Sequence, residues 1–334
     1  MYKPLVEPST TRCDYVINDT VLAYSHDDIQ NLGHSMTDFM NVWAMLWLSS
    51  MGPYSKDVTF LNIDAIRQGH SYNDQLGKFG KHYETAFARI LTAKDFASRG
   101  KPTVCFKRLI MQPRPLVLFT WDGWWQDMKC TFMGPSSLFQ RWNIQIRNNY
   151  GLLNRPSSPT NKGVRVLLLV RSASSAAQMQ QSRVFTNPEE IIAGLKEIQG
   201  ASLRVQDLSQ LSFEEQVTLV ADSSVIIGVH GAGIPASMHM SVGTTYCCGV
   251  LEIFPEGEFK AIRGYGNMAR RMGHHYERLA LTGKERRPGG TNVPANLVVD
   301  RVRKLIAQIQ EQPSCVMPNV VSDQHFTSVP SVWG

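Results

Sequence analysis

The second half of this 334-residue chain alternates short apolar runs with amphipathic segments, and this alternation constrains the fold more than any other feature. Leucine-rich and β-branched runs predict buried strands over residues 164–170, 203–208, 225–229 and 249–254. Helical patterns lie between these strands. Because strands and helices that alternate at this spacing form right-handed βαβ units, the sequence predicts an α/β fold with a parallel sheet covered by helices on both faces.

Helix start signals support this interpretation. Asn187 stands where an N-cap is expected, with proline at the next residue and two acidic residues in the first turn. Ser212 and Glu215 fit a capping box. Two later helices are predicted over 259–272 and 296–310.

The first half of the chain is less regular and ends in a proline- and serine-rich stretch that is typical of a linker. A chain of this length also suits two domains. The expected boundaries are 1–155 for an N-terminal domain, 156–163 for the linker, 164–290 for a Rossmann-like domain and 313–334 for a tail. The C-terminal helix, over 295–312, is expected to cross back and join the N-terminal domain.

Composition excludes several classes of protein. The net charge of +6 comes without long basic blocks, which suits a small phosphate-bearing ligand better than nucleic acid. No apolar run approaches the roughly 18 residues that a membrane helix requires, and the first residues lack the pattern of a signal peptide. We therefore expect a soluble body whose membrane anchor, where the native protein has one, lies outside this sequence. Six cysteines without a CxxC pair leave the compartment open.

A glycine-containing loop follows the third predicted strand and is the most specific local signal. Small residues after a buried strand let backbone N–H groups approach a diphosphate. The loop residues are His230, Gly231, Ala232 and Gly233. Together with Ala236 they also fit a dinucleotide fingerprint, and Glu252 ends the next strand, where a ribose-binding acid would lie. That fingerprint normally follows the first strand of its domain, so a phosphate-binding loop is the preferred interpretation and a tight structural turn is the alternative.

Two arginines are candidates to neutralise the negative charge of a bound diphosphate. Arg171 follows the strand over 164–170, and Arg183 lies shortly before the helix cap at Asn187. A guanidinium group binds phosphate oxygens through two parallel hydrogen bonds. The polar stretch over 172–182 separates the two residues, so the sequence leaves open whether their side chains converge or lie on the surface.

His34 and Asp38 are candidates for a catalytic base. They are four residues apart on a predicted helix and therefore share one face, where they can take a proton from an attacking hydroxyl. Ser35 and Asp38 also fit a capping box, which is the structural alternative. The chain contains no D-x-D motif, so we expect no protein-bound catalytic metal.

Motifs in a fixed order carry a family resemblance across about residues 20–280. They are Asn31-x-x-His34-x-x-x-Asp38, Arg171 with Arg183-Val-Phe-Thr-Asn187, Ser212-Phe-Glu-Glu-Gln216, the run from Ala221 to Gly233, Glu252-Ile-Phe-Pro255 and Gly273-His-His-Tyr276. This ordered set resembles glycosyltransferase family 61, whose members include plant-type β-1,2-xylosyltransferases and the O-GlcNAc transferases of the animal secretory pathway. One departure lies after Gly231, where Ala-Gly-Ile-Pro-Ala-Ser replaces a common Leu-Thr-Asn.

The resemblance implies a GT-B-type fold, in which two Rossmann-like domains face a cleft. It implies an inverting, metal-independent transfer of xylose, GlcNAc or a similar sugar from a UDP-sugar to a glycan or glycoprotein hydroxyl. By the same resemblance, the loop at His230 and Arg171 hold the diphosphate, Glu252 lies near the nucleoside, and His34 or Asp38 across the cleft is the base. It also implies a type II membrane protein of the Golgi or ER lumen. The alternatives are an NAD(P)-dependent oxidoreductase and a catalytically inactive sugar-nucleotide-binding module.

Overall fold

A computed structural model describes a large part of the chain, and all structural statements concern that part. The described residues are 12–25, 38, 40–42, 45, 58–63, 89–92, 95, 103–111, 135–152, 163–171, 183–231, 233–241, 247–255, 263–281 and 290–311. They divide into two compact units. The first unit holds the strands up to residue 111, and the second holds the elements from residue 135 onward.

The N-terminal unit contains a parallel sheet. Its strands are β1 (Tyr15–Tyr24), β2 (Val58–Asn62), β3 (Arg89–Thr92) and β4 (Val104–Met111), in the order β3-β2-β1-β4. A disulfide between Cys13 and Cys105 joins the segment before β1 to β4. The order 3-2-1-4 is that of a Rossmann sheet. The half of the chain that looks irregular in sequence therefore also has a parallel α/β-type sheet.

The C-terminal unit contains a five-stranded parallel sheet. Its elements are α1 (Ser137–Asn149), β5 (Val164–Leu169), α2 (Pro188–Lys196), β6 (Ala201–Gln206), α3 (Phe213–Ala221), β7 (Val225–Val229), a 3-10 helix (Ile234–His239), β8 (Gly249–Phe254), α4 (Gly264–Met272), β9 (His275–Ala280) and α5 (Ala295–Glu311). The strand order is β6-β5-β7-β8-β9. The chain leaves β5 first to one side and later to the other, so a topological switch point lies between β5 and β7.

Side chains from both faces of this sheet are buried. On one face Val166, Ile227 and Leu251 pack in a core cluster with residues of α2 and α5. Neighbouring residues such as Leu167 and Ile226 point to the other face, because side chains alternate along a strand, and they too are fully buried. The predicted parallel sheet with helices on both faces is therefore confirmed for this unit.

The C-terminal helix belongs to the C-terminal unit. Val298, Val302 and Leu305 of α5 are buried in its core cluster, since residues three and four apart form one apolar stripe on a helix. Glu277 on β9 adds contacts to Arg301 at 2.8 Å and to Lys304 at 2.6 Å. Helix α5 therefore packs on the sheet that precedes it in the chain, whereas the sequence predicted that helix 295–312 crosses back to the N-terminal domain.

The domain boundary also differs from the expectation at 155. Helix α1 lies in the C-terminal unit, where Gln140 donates a hydrogen bond to the Met272 carbonyl at 3.2 Å and Asn143 donates one to the Met240 carbonyl at 2.7 Å. Residues 156–162 of the expected linker and the expected tail lie outside the described residues. Among the helices that the structure describes, none is long and apolar enough to cross a bilayer.

Candidate functional site

The switch point of the C-terminal sheet brings two of the predicted loops together. Strands β5 and β7 are paired in parallel, so the residues that follow them leave the same edge of the sheet side by side. Arg171 follows β5, and His230 and Gly231 follow β7. Ligands of open α/β sheets bind at this position, beyond the carboxyl ends of the strands where the chain reverses direction.

Both candidate arginines reach Gly231. A Cβ atom placed on Gly231 would lie 2.5 Å from Nη2 of Arg171 and 3.0 Å from Nη1 of Arg183. The backbone there has a φ of +148°, which side-chain-bearing residues rarely adopt. The absence of a side chain thus lets two guanidinium groups close over one stretch of backbone, and the convergence that the sequence left open is found.

A short parallel bridge fixes the segment that carries Arg183. Phe185 pairs with Thr291, and the Thr186 N–H donates to the Thr291 carbonyl at 3.0 Å. Two residues later the Asn187 side chain donates to the Val293 carbonyl at 2.9 Å and accepts from the Val293 N–H at 3.1 Å. Asn187 is the N-cap of α2, as predicted, but its side chain is used to hold this bridge.

His230 belongs to a buried network of hydrogen bonds. Its Nδ1 lies 2.5 Å from Oε1 of Glu252, and the Tyr276 hydroxyl donates to Oε2 of the same carboxylate at 2.6 Å. The side chains of His230 and Glu252 are only 4% and 1% exposed. Both oxygens of Glu252 therefore have a partner within the protein, and a buried carboxylate needs such partners to be tolerated.

Aromatic rings hold the imidazole plane. The His230 ring stacks on Phe254 with centroids 4.7 Å apart and an interplanar angle of 19°. Tyr265 of α4 lies 5.2 Å from the same imidazole. The Arg278 guanidinium covers the Phe254 ring at 3.9 Å, a favourable cation–π contact. With its ring plane and its Nδ1 both fixed, His230 has one orientation.

The electrostatic field of the site acts on both tyrosines. Burial raises the pKa of Tyr265, the charge of Glu252 raises it further, and Arg183 and Arg171 oppose this rise. Burial and then the charge of Glu252 raise the pKa of Tyr276 well above its usual value. Both phenols therefore keep their protons at neutral pH, and Tyr276 remains a hydrogen-bond donor to Glu252. Tyr265 responds to Glu252 and to both arginines, so these groups share one site.

Comparison with known proteins identifies the family. The sequence model of the Glycosyltransferase 61 family matches residues 32–247, more than half of the chain. The chain belongs to the glycosyltransferase 61 family. This match includes Arg171, Arg183, His230 and Gly231, whereas Glu252 and Tyr276, which complete the network at His230, follow the matched region.

Curated relatives of the glycosyltransferase 61 chain are distant. The EGF domain-specific O-linked N-acetylglucosamine transferase of Gallus gallus is 24% identical over 268 residues, covering 79% of this chain and 45% of the relative. The protein of that name from Drosophila melanogaster is 22% identical and covers 66% and 39%. A β-1,2-xylosyltransferase of Oryza sativa subsp. japonica is 22% identical and covers 69% and 44%. The chain thus spans less than half the length of these relatives.

A solved structure is also similar to this glycosyltransferase 61 chain. It is the glycosyl transferase family 9 protein of Veillonella parvula DSM 2008, with 8% sequence identity and a TM-score of 0.37. The similarity covers 90% of this chain and 99% of that structure.

The remaining predicted site residues have different outcomes. Glu252 contacts His230 and Tyr276, and its place near a nucleoside stays a prediction. Gly233 is the N-cap of the 3-10 helix and has an ordinary φ of −78°. Asp38 is helical and fully buried. Ala232 and His34 lie outside the described residues, so the assignment of the base to the His34 and Asp38 pair in this glycosyltransferase 61 chain stays a prediction.

Sequence reasoning missed the partners of His230. Tyr276 and Phe254 entered only as parts of the Gly273-His-His-Tyr276 and Glu252-Ile-Phe-Pro255 motifs, and Tyr265 was not identified. The alternation of β9 and the end of the buried strand β8 are the signals that could have placed Tyr276 and Phe254 beside the loop. Within the ranges that the structure describes, no three His, Cys, Asp or Glu side chains are grouped closely enough to hold a metal ion.

Proposed function

We propose that the chain is an inverting glycosyltransferase that moves a sugar from a UDP-sugar to a hydroxyl group of a glycan or glycoprotein without a protein-bound metal. The convergence of Arg171 and Arg183 on Gly231 carries this proposal. A sugar-nucleotide diphosphate presents closely spaced anionic oxygens, and two guanidinium groups at the switch point match them in charge and geometry.

The arginines also account for the chemistry that such a transfer needs. Cleavage of the bond between the sugar and the diphosphate leaves negative charge on the leaving group, and fixed donors that face this charge lower the barrier. Metal-dependent enzymes supply the same charge with a divalent ion. Arg171 and Arg183 take that role here, which supports the proposed metal independence.

Inversion requires a base on the opposite side of the sugar. The base deprotonates the acceptor hydroxyl while the diphosphate leaves, and His34 or Asp38 is proposed for this step. Relatives named as O-linked N-acetylglucosamine transferases and as a β-1,2-xylosyltransferase favour GlcNAc or xylose as the transferred sugar.

Nucleotide binding tests the proposal directly. We expect UDP to raise the melting temperature with or without EDTA, since a ligand at about a hundred times its Kd stabilises by roughly 2.7 kcal/mol. Binding of NAD or NADP in place of UDP would favour the oxidoreductase alternative. The buried, doubly bonded state of Glu252 argues against that alternative, because the carboxylate does not offer free oxygens to a ribose.

Arginine variants with a matched control locate the site. Arg171→Ala and Arg183→Ala should each weaken UDP binding by about tenfold to a hundredfold, because each removes hydrogen bonds between charged groups. Arg204→Ala is the control, since Arg204 is exposed on the outer strand β6. Release of UDP from UDP-N-acetylglucosamine or UDP-xylose with an acceptor then measures transfer. UDP-sugar binding without any transfer would favour the inactive binding module.

We further propose that the protein works in the Golgi or ER lumen, held by a membrane anchor outside this sequence. Disulfides persist in oxidising compartments, and the chain has the Cys13–Cys105 disulfide and a second one at Cys247. Asn18, in an Asn-Asp-Thr glycosylation signal, is exposed. Protein isolated from its natural source should lose the mass of a glycan after N-glycosidase treatment. Unmodified Asn18 together with free thiols at Cys13 and Cys105 would contradict lumenal residence.

A further inference from the structure

The network from Tyr276 through Glu252 to His230 has a consequence for the donor site. Glu252 is an acceptor at both oxygens, so Tyr276 donates to one and His230 donates its Nδ1 proton to the other. The proton on Nδ1 is therefore already used in the hydrogen bond to Glu252. Of the two ring nitrogens, Nε2 alone remains for a ligand, and it points away from Glu252 because the two nitrogens lie on different sides of the ring.

The ligand at this place is expected to be anionic. Gly231, the residue after His230, lies under the guanidinium groups of Arg171 and Arg183. A diphosphate oxygen is a hydrogen-bond acceptor and requires a donor, so Nε2 must carry a proton to bind it. With Nδ1 already protonated, the ring in contact with the diphosphate is an imidazolium.

We propose that Glu252 and Tyr276 are positioning residues that hold His230 so that its protonated Nε2 binds the donor diphosphate beside Arg171 and Arg183, and that donor binding therefore depends on protonation of His230. This inference rests on the proposed function. Glu252 compensates the charge of the imidazolium, and Tyr276 fixes the carboxylate that orients the ring.

Among the residues that the structure describes, charged and titratable groups contact His230 or its direct neighbours Gly231 and Phe254. They are Glu252 on β8, Tyr276 and Arg278 on β9, Tyr265 on α4, Arg171 after β5 and Arg183 before α2. The arginines keep their charge throughout the working range, and the tyrosines keep their protons. Of these side-chain types, imidazole is the one whose charge ordinarily changes near neutral pH.

Titration calorimetry with UDP-N-acetylglucosamine and UDP-xylose tests the inference. Binding is measured between about pH 6 and pH 8.5, where imidazole ordinarily changes its charge and the diphosphate diester of a UDP-sugar has no titrating proton, so that pH dependence comes from the protein. We expect affinity to fall by up to about tenfold per pH unit once the free protein has lost the His230 proton. Buffers of different ionisation enthalpy should show uptake of one proton on binding in that range.

Substitutions separate charge from mere packing. Glu252→Gln keeps an acceptor for Nδ1 but removes the charge, so affinity at neutral pH should fall about tenfold and the pH-dependent decline should begin at lower pH. Tyr276→Phe should give a smaller loss. Glu277→Gln is the matched control: Glu277 adjoins Tyr276 on β9 but contacts α5, so its replacement should leave the affinity and its pH dependence unchanged.

The outcomes distinguish failure of the proposed function from failure of the inference about His230. If the wild-type protein binds neither UDP-sugar, the proposed function fails. If it binds one with no proton uptake across this pH range, and Glu252→Gln binds as tightly as Glu277→Gln, the function stands and the role of the network is overturned. Should Glu252→Gln not fold, nitrogen chemical shifts of His230 in the wild-type complex decide the question, because they must show both ring nitrogens protonated.

Discussion

Replacement of Gly231 by alanine tests the central feature of the site. The new Cβ would lie 2.5 Å from Nη2 of Arg171 and 3.0 Å from Nη1 of Arg183, whereas ordinary contacts begin at 3.4 Å. The tip of Arg171 must therefore withdraw by about 1 Å, and that of Arg183 by a few tenths of an ångström, as repulsion between non-bonded atoms rises steeply inside contact distance. Both shifts move guanidinium groups away from the place where a diphosphate would bind.

The size of the effect has two parts. A residue with a side chain at a φ of +148° costs about 1–3 kcal/mol of folding free energy. Displacement of a guanidinium from a phosphate oxygen costs about 1.5–3 kcal/mol of binding free energy, which corresponds to roughly tenfold to a hundredfold weaker binding. Gly231→Ala should therefore lower both the melting temperature and the affinity for a UDP-sugar.

Gly200→Ala is the control for backbone strain. Gly200 also has a positive φ, of +72°, but a Cβ there would meet nothing within 4 Å. Thermal unfolding should show that both variants are less stable than the wild-type protein, and calorimetry should show weaker UDP-sugar binding for Gly231→Ala alone. Equal affinity in the two variants would refute the reasoning, because the arginines would then not act at Gly231.

Two further predictions concern stability. A double Cys13→Ser, Cys105→Ser variant should lose about 2–5 kcal/mol of unfolding free energy, since the disulfide closes a loop with a sequence separation of 92; denaturant unfolding checks this, and an unchanged midpoint would contradict it. Burial would raise the pKa of Glu277, but hydrogen bonds from Lys304 and Arg301 outweigh this and lower it. The carboxylate therefore contributes stability above its unfolded-state pKa, and this contribution is lost as the pH falls through the lower folded-state value. Melting temperatures of Glu277→Gln should depend less on acid pH than those of the wild-type protein, and parallel curves would exclude the effect.

The sequence predicted those elements whose formation depends on interactions between residues close together in the chain. The strands at Val225–Val229 and Gly249–Phe254 were predicted with these bounds, because each is a short apolar run closed by glycine or proline. The capping box at Ser212 is present, since a serine hydroxyl and a glutamate three residues later satisfy the first backbone N–H groups of a helix. These features depend on neighbours within one turn or one strand.

Elements whose partners are distant in sequence were not predictable in this way. Strands β1 and β4 pair with each other across a long stretch of the chain, and like β9 they have mixed burial and lack a continuous apolar run. The same limit applies to Glu252. Its place on a strand was predicted, but it lies inside β8 rather than at the end, and its two partners, 22 and 24 residues away, belong to a loop and to the missed strand.

The convergence of the two arginines depends on a contact that no local pattern reveals. Arg183 lies where it does because the following residues bridge to Thr291 and Val293, more than 100 residues away. That approach needs a glycine at 290, where a Cβ would lie 2.7 Å from the Val184 carbonyl oxygen and the φ is +121°. Because Gly290 has no side chain, its backbone can lie against the backbone of the segment that carries Arg183. Because Gly231 has none, the two guanidinium groups can lie against its backbone. The candidate donor site is therefore set by two glycines far apart in sequence, each at a conformation that alanine would strain.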